Sequence, residues 1–122
     1  MSAVLVDTSI WRKYLAGVAS TRALGRLLDD NEVLLHPFVL GELTLGGLSD
    51  REVLTFKRLP TTPILKQEDI LGFITERRLS RKGIGWVDAH LLASALVTGT
   101  RLWSADRALA GVARTLGVDF SD

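Results

Sequence analysis

The chain contains no cysteine, so neither a disulfide framework nor a thiolate metal site is open to it. It also lacks any apolar run near the ~20 residues that a membrane-spanning helix requires. Its first residues, MSAVLVDTSI, have no basic flank and no small-residue cleavage site, so they read as structure rather than as a secretory leader. No repeat, low-complexity stretch or linker divides the chain. A net charge of +1 is too small to point by itself to nucleic acid. These absences leave an expected soluble, cytoplasmic protein with no membrane partner, in which residues 1–122 form a single domain around one core.

What is present is an alternation of short apolar strands with longer helices. AVLV (3–6) fits a strand buried on both faces, and DTSIWRKYLAG after it supplies cap residues for a helix that Gly17 ends. Helices are predicted over 20–30, 37–47, 50–59, 67–83, 86–98 and 106–117. Strands are predicted over 33–36 and 101–105, with VDF (118–120) as an edge strand. PFVLGELTLGG is apolar nearly all round, which predicts a buried helix. Ile70, Leu71, Ile74 and Leu79 are expected on one face of the 67–83 helix. The whole pattern indicates an α/β protein with a parallel sheet between helix layers.

Four carboxylates stand out. In an open parallel sheet the ligand crevice lies beyond the carboxyl ends of the strands. Asp7 directly follows the first strand and Asp106 directly follows LWSA, so both are predicted at the same sheet edge, each beside the positive end of a helix. Asp88 opens the 86–98 helix after the glycines of KGIGW. Glu42 falls in the most apolar helix, with no lysine or arginine within one turn, where an unpaired charge would cost several kcal/mol. Any one of the three aspartates is also explained as an ordinary N-cap. All four together are better explained by a shared divalent cation. Hard oxygen donors without cysteine or a close histidine pair favour Mg2+ or Mn2+ over zinc. Such a centre suits phosphodiester hydrolysis by activated water.

VLVDTSIW, the buried GELTLG, GWVDAHLLASA and LWSADRAL, in this order and across nearly the whole length, resemble the PIN-domain ribonucleases, most closely the VapC-type toxins of bacterial toxin–antitoxin pairs. The resemblance implies a PIN-like three-layer α/β/α fold with a central parallel sheet. It implies that Asp7, Glu42, Asp88 and Asp106 form the catalytic, metal-binding acidic set, and that Thr8 or Ser9, with Ser104, give polar support. It further implies endonucleolytic cleavage of RNA with Mg2+ or Mn2+, a homodimer, and silencing by a cognate antitoxin that inserts into the active-site groove. Many relatives carry threonine or asparagine where Ser104 stands, a departure that a serine hydroxyl can accommodate.

With the four acids set aside, the rest of the chain carries +5. Arg77, Arg78, Arg81 and Lys82 lie just before Asp88 as possible RNA phosphate contacts, or equally as a solvated helix end. Arg12 is expected to line the same groove. Trp11, Trp86 and Trp103 are each expected to pack in the core or an interface rather than against bases. Two other readings stand beside the nuclease: a catalytically silent RNA- or partner-binding module on the same fold, and a phospho-acceptor receiver-like domain. The receiver would want paired acids after the first strand and a late lysine, and the chain has neither.

Overall fold

A computed structural model describes residues 3–121. At its centre is β1 (Val4–Val6), a β-branched and leucine run buried on both faces. β1 pairs in parallel with β2 (Val33–Leu34) on one side and β3 (Arg101–Trp103) on the other, giving the order β2-β1-β3. Single parallel bridges extend each edge, Leu35 to Thr61 beyond β2 and Leu102 to Asp119 beyond β3. The expected VDF strand therefore exists only as that bridge. β3 is also shorter than predicted, because Ser104 and Ala105 leave the ladder to enter the turn before the next helix.

Among the described residues seven α-helices complete the three-layer α/β/α arrangement. They are α1 (Thr8–Leu15), α2 (Ala23–Asp29), α3 (Pro37–Leu45), α4 (Asp50–Phe56), α5 (Gln67–Glu76), α6 (Trp86–Thr98) and α7 (Arg107–Thr115). The segment before α2 forms a 3-10 turn at Ala19–Thr21 instead of a longer α-helix. Leu5, Val6, Leu24, Leu35, Leu91, Leu92, Leu102 and Leu109 fill the core between the sheet and its helices. Among the described residues no helix is long and apolar enough to cross a membrane.

Two helices differ from expectation. α5 stops at Glu76 rather than running to residue 83. The chain then turns through Arg78 in the left-handed region, at φ 56°, with the Leu79 N–H donating to the Ile74 carbonyl. Leu79 reaches the core from this turn and not from a helical face, while Leu71 is exposed. α3 is not buried all round: only Val39 and Leu43 are buried, and Leu45 is 91% exposed at the helix end. Glu42 is half-buried as a result, with a path to solvent that an enclosed helix would have denied it.

Candidate active site

Asp7 is the first residue past β1. Its backbone N–H still pairs with the Trp103 carbonyl at 2.9 Å, so the ladder between β1 and β3 fixes where the carboxylate emerges. The side chain caps α1 and is buried. Three donors hold it: the Thr8 N–H on Oδ1 at 2.8 Å, and the Ser9 and Ser104 hydroxyls on Oδ2 at 2.7 and 2.8 Å. The same two serines tie down the β3–α7 turn, Ser9 Oγ accepting from the Ala105 N–H and Ser104 Oγ from the Asp106 N–H, both at 3.0 Å. Asp7 and the turn carrying Asp106 are thus one hydrogen-bonded unit.

Asp106 caps α7, its Oδ1 accepting from the Leu109 N–H at 3.0 Å. This leaves Oδ2 without a protein partner among the described residues. Glu42 reaches toward the same sheet edge from α3, where the Thr8 hydroxyl donates to its Oε1 at 2.6 Å. Thr8 therefore serves two acids, through its backbone N–H to Asp7 and its side chain to Glu42. Asp88, in the first turn of α6, accepts from the Gly85 N–H on Oδ2 at 2.9 Å. Every acid is oriented by a donor of its own, as a site on rigid element ends requires.

The four acids are linked electrostatically through Asp88. Burial pushes the Asp88 carboxyl above its ordinary value; the Gly85 N–H opposes that rise, and the negative charges of Asp7, Asp106 and Glu42 add to it. All three other acids therefore act on Asp88. Among the described residues no three acids or histidines close into a ready-made cage. Each of the four acids is already steered by an amide or hydroxyl. Carboxylate oxygens are the donors that hard divalent cations take, and Mg2+ among them keeps several waters and needs few carboxylates directly.

The cations divide. Arg77, Arg78 and Lys82 line a groove of about 380 Å3 whose opposite wall is α7. Arg107, beside Asp106, lines it as well, and the sequence reading had passed over it. Its signal was position: a cation next to a strand-end acid at a helix start. Arg81 is exposed in the same loop, at φ 62°. Arg12 belongs elsewhere. It lines a separate cleft with Leu43, Gly46 and Glu52, over the carboxyl end of α3, whose dipole attracts it. The tryptophans divide too, since Trp11 and Trp103 are buried as expected but Trp86 is 43% exposed.

His36 and His90 take no part among the acids. His36 caps α3, its Nδ1 accepting from the Phe38 N–H at 2.9 Å, and its ring lies 6.1 Å from that of His90. Burial, and secondarily the neighbouring His90, lower the His36 pKa to about 4. Burial lowers that of His90 as well.

A family model of the PIN domain matches residues 4–115. Ribonuclease VapC32 of Mycobacterium tuberculosis, in each of two strains, is 38% identical over 122 residues, a match covering 98% of this chain and 97% of the relative. Among solved structures, the crystal structure of PAE2754 from Pyrobaculum aerophilum aligns with a TM-score of 0.54 at 18% identity, over 90% of this chain and 78% of that one. This last likeness speaks to the fold alone.

Proposed function

From the premise that the chain belongs to the PIN-domain family of VapC-type ribonucleases, we propose that it is a toxin endoribonuclease working at Asp7, Glu42, Asp88 and Asp106 with a divalent cation, Mg2+ or Mn2+. The observation that supports the metal and site assignments is the hydrogen-bonded unit joining Asp7, the turn that carries Asp106 and, through Thr8, Glu42, with the charges of all three acting on Asp88. Four like charges gathered this way are a cost to the fold unless a counter-ion is part of the working molecule.

When bound, such an ion lowers the pKa of water and neutralises the charge that develops on the phosphate. The chain's own residues do the rest. Asp7, locked by three donors, is the fixed point of the site. Thr8 holds the Glu42 carboxylate in register with it. Asp106 and Asp88, each pinned through one oxygen, keep the other available to a bound ion. Arg77, Arg78, Lys82 and Arg107 draw the RNA backbone along the groove and set its register, without reading base identity. Arg81 adds exposed charge in the same loop, and Arg12 is left out of the assignment.

RNA as substrate, a cognate antitoxin as restraint, a homodimer and a cytoplasmic location belong to the same reading and rest on the family. The receiver-like alternative finds no support here, because both Asp7 oxygens are held by hydroxyls and an amide and none by a lysine.

The test is cleavage of cellular RNA by the purified protein in Mg2+ or Mn2+. Activity is expected to vanish in excess EDTA and to fall at least ~100-fold in Asp7→Asn, the scale of losing one electrostatic group at a reacting centre. RNA that is bound but never cut, across several substrates and both metals, would establish the silent binding module instead.

A further inference from the structure

We propose that the indole of Trp86 is the stacking face for the base next to the scissile phosphate, making Trp86 a positioning residue for RNA; the inference rests on the ribonuclease reading above. Trp86 opens α6 and is 43% exposed, although the two other tryptophans are at most 8% exposed. It is held from behind. Its ring centroid lies 5.0 Å from that of His90 at an interplanar angle of 80°, and His90 in turn meets Phe38 at 4.8 Å and 69°. His90 is only 3% exposed, so this aromatic row is anchored in the core and ends in solvent at the indole. Among the described residues His90 is its one ring partner, and 43% of Trp86 stays open to solvent, enough for a planar ligand to reach the indole.

Its place in the fold selects that ligand. Trp86 and Asp88 share the first turn of α6 but, two residues apart, leave it on different sides. The indole is therefore carried on the same helical turn as Asp88 but on another side of it, so a base stacked there would belong to a nucleotide flanking the phosphate that meets the acids. The row also touches the site through α3, since Phe38 is one turn before Glu42. The cationic groove is lined by Arg107, next in sequence to Asp106, and Trp86 lies two residues before Asp88. Backbone charge and base π-face are thus each met by a matching surface around one cluster, the combination that binds unpaired nucleotides without sequence preference.

The experiment compares wild type, Trp86→Phe and Trp86→Ala on a short single-stranded RNA of mixed sequence in Mn2+. Trp86→Ala is expected to raise KM about 5- to 50-fold with kcat within about twofold, and Trp86→Phe to retain most of the wild-type KM, as base–aromatic stacking requires. In an Asp7→Asn background, adding the same RNA should quench indole fluorescence, and the quench should disappear when Trp86→Phe is introduced. An unchanged KM in Trp86→Ala, or a quench that survives Trp86→Phe, overturns the proposal. So does a Trp86→Ala protein that changes only its oligomeric mass by light scattering, which would make the ring a contact between copies of the chain. A wild type that binds RNA with quenching yet never cuts it counts against the ribonuclease reading and still supports the role of Trp86 in binding.

Discussion

At the scale of the residue, the acids were the most legible part of the molecule, because an aspartate directly after an apolar run has its position dictated by the strand. Asp7 and Asp106 follow neighbouring strands, and the pairing of the Asp7 N–H with Trp103 carries them to one edge. Glu42 was legible by its lack of a nearby cation, but its partner Thr8 was not, since a contact 34 residues apart leaves no local trace. The exposure of Trp86 was hidden for a related reason: an apolar helix does not announce which of its ends faces water. His36 shows what a buried titratable residue does to stability. Its Nδ1 accepts a backbone N–H and its buried Nε2 has no partner, so the fold holds the ring neutral. With a folded pKa of about 4 against 6.5 unfolded, the unfolded chain binds the proton more readily. The stabilising contribution of neutral His36 is complete above pH 6.5 and is lost as the pH falls toward 4. Urea unfolding between pH 7.5 and pH 4 should show that decline in wild type and a shallower one in His36→Asn, whose amide oxygen still caps α3. Equal slopes would remove His36 from the acid sensitivity of the fold.

At the scale of the element, helix number and the βα alternation were readable, and boundaries failed where the backbone does something a side chain does not advertise. The end of α5 is the clearest case. Arginine at residue 78 in the left-handed region carries no stop signal, as a glycine there would have done. The turn nevertheless matters, because it folds Leu79 into the core and leaves Arg77, Arg78 and Lys82 on one wall of the groove. Gly83, also at positive φ (+81°), lets the loop continue close against α7, where an added Cβ would lie 3.3 Å from that of Ala108. Arg78→Gly separates the two roles of this turn. Relief of left-handed strain, about 1 kcal/mol, offsets the greater freedom of glycine in the unfolded chain, so the melting temperature should stay within a few degrees. RNA affinity should fall about three- to tenfold at low salt, with a flatter salt dependence, because one phosphate contact is gone. A large loss of stability with unchanged RNA affinity would mean that Arg78 is structural.

At the scale of the whole molecule, a nearly neutral chain separates its charge: carboxylates collect at the carboxyl ends of a three-stranded sheet, and arginine and lysine line the groove beside them. The sheet edge, two serines and one threonine make this arrangement rigid, and each acid keeps a hydrogen bond that fixes its direction. The central claim is that the gathered acids share a divalent cation, and binding measures this more directly than catalysis does. Titration of Mn2+ into the metal-free protein, with unbound ion followed by electron paramagnetic resonance, should show saturable binding in wild type. Asp106→Asn should weaken it about tenfold or more, since one charged oxygen donor is removed and ~1.4 kcal/mol corresponds to a factor of ten. Equal affinity in the two proteins, or no saturable binding in wild type, would contradict the account.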